Sequence, residues 1–248
     1  MFHGIKWRIV ANATDFPLLQ SIRNFESAYA LSGELISRGD QSRMYRIEHE
    51  GKIYYVKKFH QQSGLRSWLG RSRSEAEVKN MLFFSKLGLP TVPLIAWGLE
   101  KHWGKANRAF VLTGHVENTL DMRSTVEQNP EFLHNSVWRA RLFQLCADQL
   151  RTLHEQRFCH GDIHWRNILV GQDPNKPELY LIDCPLGKTF SLPELPYRRI
   201  KDLGCLDEYA RMYLRKTERL RFYLRYRNID RLDKRGKRDI RTMLARYS

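Results

Sequence analysis

Residues 159–170 are Cys-His-Gly-Asp-Ile-His-Trp-Arg-Asn-Ile-Leu-Val. Asp162 is followed five positions later by Asn167, after which Ile168, Leu169 and Val170 start an apolar run. A second apolar run, Leu179-Tyr180-Leu181-Ile182, ends in Asp183. The pattern is a polar loop with an acid and an amide, a short hairpin, and a strand that ends in a second acid. Phosphoryl transfer from ATP explains each part. One carboxylate orients an acceptor hydroxyl and takes its proton; an amide oxygen and another carboxylate hold magnesium against the phosphates. Mg²⁺ takes few protein ligands and completes its shell with water and phosphate oxygens, so two such donors suffice. Taken singly, Asp162, Asn167 and Asp183 could equally be turn residues or caps; their joint order and spacing favour chemistry. A zinc site built from Cys159, His160, Asp162 and His164 is the weaker reading, since the histidines fall in a predicted loop without the usual ligand spacing.

Upstream of this loop, Trp138, Leu142, Leu145, Cys146, Leu150 and Leu153 recur at three- and four-residue steps, which predicts a long amphipathic helix. Earlier still the texture is β: Leu35-Ile36, then a polar turn over residues 37–42, then Met44 to Glu48, then the turn signal Glu50-Gly51, then Lys52 to Phe59. A helix is predicted over Ser74 to Leu87, ended by Gly88 and Pro90, and a further strand over Arg108 to Val116. From Asp202 the chain reads as helical with a cationic face, and residues 1–30 give no clear pattern. A β-rich half followed by a helical half is an α+β plan. Lys57, on the third predicted strand, shares a face with Tyr55, and Tyr54-Tyr55-Val56-Lys57 resembles the VAIK of the protein-kinase-like superfamily, which implies Lys57 as the phosphate-binding lysine. Glu77, twenty residues on, is its candidate partner, with Glu75 as the fallback. The loop from Ser37 to Arg43 holds one glycine, Gly39, and a hydroxyl, Ser42, that could assist backbone amides in capping phosphate.

The chain has 248 residues, 42% of them hydrophobic and 12% aromatic, enough for a packed core and against general disorder. Its net charge is +15, and residues 211–248 carry 14 basic against 4 acidic residues, a net of +10. Such a tail seeks anionic partners. Arg215 and Arg219, then Arg221 and Arg225, are spaced i, i+4, and Arg231, Arg235 and Arg238 continue a basic face, while Leu220, Tyr223 and Leu224 can turn inward. Cys146, Cys159, Cys184 and Cys205 form no CxxC pair and suit neither a disulfide framework nor a zinc site, so a reducing cytoplasm is the expected setting. The start shows no apolar signal segment, and the uncharged run Leu87 to Leu99 is too short for a membrane span.

The pieces SGELISRGDQSRMYRI, GKIYYVKKF, SEAEVKNMLFFSKLGLPTVP, HGDIHWRNILV, LYLIDCP, RRIKDLGCLDEYA and RLRFYLRYR, over about residues 32–230, resemble the lipopolysaccharide kinase (Kdo/WaaP) family of the protein-kinase-like superfamily. The resemblance implies a two-lobed protein-kinase-like fold with a β-rich N-lobe and a helical C-lobe. Residues 1–30 would be an N-terminal extension packed on it, 31–117 the ATP-binding N-lobe, and 118–248 the C-lobe with catalytic loop, metal site and basic helices. It implies Asp162 as catalytic base, Asn167 and Asp183 as magnesium ligands, and Lys57, Glu77, Gly39 and Ser42 on the side of ATP. His164 would contact the γ-phosphate or shape the loop. Asp202 would brace the catalytic loop, a helix N-cap before Leu203 being the equal alternative. The sequence departs from the wider superfamily in three places: one glycine in the phosphate loop, Tyr55 where alanine usually meets adenine, and Cys184-Pro185 after Asp183. It has no APE-like anchor, which argues against a regulated protein kinase. The expected activity is ATP- and Mg²⁺-dependent phosphorylation of a hydroxyl of a lipopolysaccharide inner-core sugar, heptose before Kdo. The expected partners are that glycolipid, the anionic face of the inner membrane and an acidic protein, with nucleic acid disfavoured; the expected location is cytoplasmic, peripheral to that membrane. An aminoglycoside-like small-molecule phosphotransferase and a nucleic-acid-binding pseudokinase are the alternatives.

Overall fold

The computed structural model describes residues 3–12, 14–60, 72–103 and 105–247. It divides into two compact units: residues up to Leu82 together with Val92–Glu117, and Phe83–Thr91 together with everything from Asn118 onward.

The first unit is built on β1 (His3–Ile9), α1 (Phe25–Ala30), β2 (Glu34–Arg38), β3 (Ser42–His49), β4 (Lys52–Phe59), most of α2 (Arg73–Lys86), β5 (Leu94–His102) and β6 (Lys105–Gly114). Among the described residues its strands form one six-stranded antiparallel sheet in the order β1-β5-β6-β4-β3-β2. Alternation in KIYYVKKF sets the sidedness of β4. Tyr54 and Val56 are fully buried with Ile95, Phe110 and Leu112, against Leu18, Leu19 and Phe25 from the segment before β2. Tyr55 and Lys57 therefore project from the opposite face.

The second unit holds β7 (Thr119–Asp121), α3 (Met122–Gln128), α4 (Glu131–His134), α5 (Ser136–Glu155), β8 (Phe158–Cys159), β9 (Ile168–Gly171), β10 (Leu179–Leu181), β11 (Lys188–Thr189), α6 (Leu195–Tyr213), α7 (Lys216–Arg227) and α8 (Lys234–Tyr247). Asn135 caps α5, its side chain accepting from the Trp138 amide at 3.0 Å. The predicted stripe of α5 is the spine of the core: Trp138, Leu142, Cys146, Leu150 and Leu153 are buried, and Leu145 is half-buried. Each such aliphatic side chain contributes about 1.5–3 kcal/mol by leaving water. Two small antiparallel sheets, β10-β9-β7 and β11-β8, fix the loop that the sequence singled out.

The α+β class stands, with corrections in detail. Strands β1 and β5 were not anticipated; β5 is buried on both faces and so lacks alternation. The polar turn over residues 37–42 is narrower, because β2 runs to Arg38 and β3 starts at Ser42. Helix α6 starts at Leu195, seven residues before the expected Asp202, with Pro196 in its first turn, where a missing N–H costs nothing.

Gly98 of β5 lies opposite Phe110 of β6, and a Cβ there would stand 2.5 Å from Phe110 Cε1 and 2.7 Å from Phe25 Cδ2. Gly98→Ala is expected to destabilise the protein by about 1–3 kcal/mol through this overpacking. The check is the midpoint of urea unfolding, and an unchanged midpoint would contradict the close approach.

Candidate active site

The loop between β8 and β9 folds around Asn167. Its Nδ2 donates to the Asp162 carbonyl at 2.7 Å and to Asp162 Oδ2 at 3.1 Å. The Asn167 carbonyl accepts from the Ile182 amide at 3.0 Å, which brings Asp183 to the same place. Asp162, Asn167 and Asp183 are thus gathered by one loop and one strand end. Asn167 is buried, whereas Asp183 is exposed. Asp183 has φ +51, a left-handed conformation that costs a non-glycine residue roughly 1 kcal/mol. With its nitrogen turned to Asp162, Asn167 keeps an Oδ1 that has no hydrogen-bond partner among the described residues. An amide oxygen beside an exposed carboxylate is an oxygen donor set that fits a hard cation such as Mg²⁺. His164 Nε2 lies 3.3 Å from Asp162 Oδ1, and its Nδ1 lies 3.0 Å from Glu208 Oε2. Arg166 Nη2 lies 3.4 Å from Asp162 Oδ2. Arg166 was not anticipated as a neighbour of this acid, nor Glu208 as a partner of His164; Glu208 is carried on α6, whose early start the sequence did not reveal.

Asp202 lies inside α6 and caps no helix end, so the N-cap alternative falls. Its carboxylate is fully buried and accepts from the His160 amide at 2.7 Å and the Gly161 amide at 2.8 Å. Gly161 has φ +82, which an L side chain rarely adopts, so a glycine before Asp162 lets both amides point at one carboxylate. His154 Nε2 is 3.1 Å from the same carboxylate, and its Nδ1 is 2.7 Å from the Tyr226 hydroxyl of α7. Burial pushes the His154 pKa down, with Asp202 opposing, so the ring is neutral. A neutral ring donating from Nε2 to Asp202 accepts a hydrogen bond from the Tyr226 hydroxyl at Nδ1. The four residues of the weaker zinc reading do not gather among the described residues. The cluster found instead is His154, Cys159 and Asp202, whose histidine and carboxylate are committed to hydrogen bonds. Burial raises the Cys159 thiol to about 12, which keeps it protonated and a poor metal ligand.

In the first unit, Lys57 Nζ meets Glu77 Oε2 at 2.9 Å, with both side chains largely buried. Glu75 instead meets Lys101 of β5 at 3.1 Å. The Gly39 amide donates to the Ser42 carbonyl at 2.9 Å, so that amide closes the β2–β3 turn. Tyr55 is half-buried, with its hydroxyl 3.4 Å from His115 Nδ1, and burial raises its pKa.

The cationic tail is partly neutralised from within. Arg219 pairs with Asp207, and Arg225 with Asp148 at 2.7 Å. Arg227 lies 3.4 Å from both Asp233 and Asp239. Arg221, Arg231 and Arg238 are exposed. Among the described residues, no helix is long and apolar enough to cross a membrane, and the four cysteines are free and buried.

His154 and His160 are both buried with pKa values pushed down, burial being the first cause in each case. In the unfolded chain they bind protons near pH 6.5. Their contribution is therefore fully present above that pH and is lost as the pH falls through it toward the folded values. Stability should drop on acidification below about pH 6.5, by up to about 1.4 kcal/mol per pH unit for each histidine. Denaturant titrations between about pH 7.5 and about pH 5 check this, and His154→Gln should lower the slope by about one proton. A flat profile would contradict neutral burial.

Residues 31–191, well over half of the chain, match the model of the lipopolysaccharide kinase (Kdo/WaaP) family. The 3-deoxy-D-manno-octulosonic acid kinase of Mannheimia succiniciproducens is 28% identical over 162 residues, covering 65% of this chain and 62% of that protein. The enzyme of the same name from Actinobacillus succinogenes is 30% identical over 155 residues, covering 60% of each. The matches thus span less than two thirds of these relatives' length. A solved structure of WaaP in complex with acyl carrier protein aligns with a TM-score of 0.70 and 22% identity, covering 96% of this chain and 95% of that one, a likeness of fold. On the strength of the family match, this chain belongs to the lipopolysaccharide kinase (Kdo/WaaP) family.

Proposed function

We propose that the protein is an ATP-dependent kinase that phosphorylates a sugar hydroxyl of the lipopolysaccharide inner core. The observation that carries this reading is the junction of Asp162, Asn167 and the strand end at Asp183. Asp162 accepts the proton of the attacking alcohol. Its carboxylate is aimed by Asn167 Nδ2 and flanked by His164 and Arg166. Asn167 Oδ1 and the Asp183 carboxylate would hold magnesium. Lys57, held by Glu77, would bind phosphate oxygens, and Gly39 and Ser42 would lie over the nucleotide. ATP with its metal supplies the transferable phosphoryl group and neutralises charge on it.

The sugar we favour is 3-deoxy-D-manno-octulosonic acid, ahead of the heptose that the sequence put first, because the two curated relatives are named for that acid. The proposed setting is the cytoplasmic face of the inner membrane, where exposed Arg221, Arg231 and Arg238 would meet anionic headgroups at about 1 kcal/mol per basic residue. An acidic protein partner is supported by the WaaP neighbour, described in complex with acyl carrier protein. An apolar cavity of about 370 Å³ in the second unit, lined by Trp165, Leu206, Leu220 and Met243 with Lys216 and Arg219, would accept the acyl chain of such a carrier.

The test is transfer of label from γ-labelled ATP to a core oligosaccharide acceptor. Asp162→Ala is expected to lower kcat by about 10²–10⁴-fold while the protein stays folded, since a positioned base supplies that much. Near-normal transfer by the folded variant would reject the role of Asp162. Lys57→Met should cut turnover at limiting ATP about tenfold or more by removing a charge-assisted phosphate contact. Unchanged turnover would remove Lys57 from the nucleotide site.

A further inference from the structure

Beside the catalytic loop the second unit has a pocket of about 210 Å³, lined by Gly161, Leu186, Phe190 and three cations, Lys188, Arg198 and Lys201. Lys188 comes from β11, while Arg198 and Lys201 are one turn apart on α6. Two of the charges share one ring: Lys188 Nζ is 5.0 Å and Arg198 Cζ 4.7 Å from the Phe190 centroid. None of the three has an ion-pair partner among the described residues. Elsewhere in the same unit the half-buried Arg139 and Arg219 hold Glu218 and Asp207, and Arg225 holds Asp148, while the outward-facing Arg221, Arg231 and Arg238 stand apart from any acid among the described residues. The pocket also touches Asp202 and Cys159. Both carboxylate oxygens of Asp202 are already taken by the His160 and Gly161 amides, and the Cys159 thiol is neutral. The wall therefore sets three positive charges against the single carboxylate of Asp202, whose oxygens are already engaged, and keeps an excess of positive charge. Like charges held together on one aromatic ring repel unless an anion joins them.

We propose that this pocket is an acceptor subsite that binds an oxyanion carried by the acceptor sugar or its neighbour. Its wall includes Gly161, the residue immediately before Asp162, and adjacent Cα atoms are about 3.8 Å apart. An anion held there lies against the backbone of the residue that precedes the proposed base. It belongs to the acceptor, because the nucleotide phosphates have their own set of residues. Lysine and arginine side chains on a rigid strand and helix recognise carboxylate and phosphate alike. The favoured anion is the carboxylate of an acidic sugar; a phosphate monoester on a neighbouring sugar is the other source of the same chemistry. The proposal rests on the kinase reading above and deepens it, by assigning residues to acceptor choice.

The experiment compares two pairs of synthetic acceptors: a 3-deoxy-D-manno-octulosonic acid glycoside and its carboxamide, and a heptose glycoside with and without a phosphate monoester. In the unaltered protein, the charged member of one pair should show a KM about tenfold below its neutral twin. The variant carrying Lys188→Gln, Arg198→Gln and Lys201→Gln should erase that ratio by raising KM for the charged member, with a smaller change in kcat. Arg198→Lys should restore part of it, and Lys176→Gln, a charge change outside the pocket, should leave the ratio alone. The pair that responds identifies the anion. A ratio that survives the triple change, or no ratio in the unaltered protein, overturns the subsite. If no acceptor is phosphorylated, the kinase reading fails, and equilibrium dialysis of the same labelled pairs judges the pocket by itself. A preference for the charged member that the triple change removes upholds the subsite, and equal binding of both members overturns it.

Discussion

The candidate catalytic loop of the second unit hangs from one buried carboxylate. Asp202 has no exposed surface, yet two consecutive amides and an imidazole donate to it. An ionised acid buried in protein is tolerated only when its lone pairs are filled, and removing such donors strands a charge at a cost of several kcal/mol. The cost makes the arrangement rigid. His160 and Gly161 cannot drift without leaving Asp202 unsolvated, so Asp162, next in the chain, inherits a fixed backbone. Asn167 then fixes the side chain of Asp162 from the other side.

The hub also joins elements far apart in sequence. Asp202 sits on α6, His154 on α5, the two amides on the loop after β8, and Tyr226 on α7. Neutral His154 is the connector, donating through one ring nitrogen and accepting through the other. A charged ring could not accept from Tyr226, so the depressed pKa that burial imposes is what lets α7 join the network.

Much of this was legible in the order of residues, and the gaps have physical causes. Strand β4 was read to the residue because KIYYVKKF alternates and Glu50-Gly51 marks the turn before it. Helix α5 was read from its stripe. Strand β5 escaped because burial on both faces removes periodicity, and its loss hid the choice between Glu75 and Glu77: the partner that occupies Glu75 is Lys101, on that strand. Pro196 in the first turn of α6 disguised the start of that helix and left the two readings of Asp202 level. The juxtaposition of Asp162, Asn167 and Asp183 was readable because it is local, within one loop and the next strand. The partners of the tail arginines were not, since Asp148 lies 77 residues from Arg225.

The reach of Tyr226 from α7 to His154 has a bearing on how the C-terminal helices are regarded. They look, by charge count, like a detachable anchor bolted to a finished enzyme. Yet one of their tyrosines is the far end of the chain of hydrogen bonds that stiffens the HGD loop, and Arg225 beside it clasps α5 through Asp148. Clipping them off would slacken the active loop itself. Should the outward-facing arginines anchor the protein as proposed, anchorage and the geometry of the candidate loop are mechanically entangled, and only charge reversals at outward-facing positions can tease the two apart.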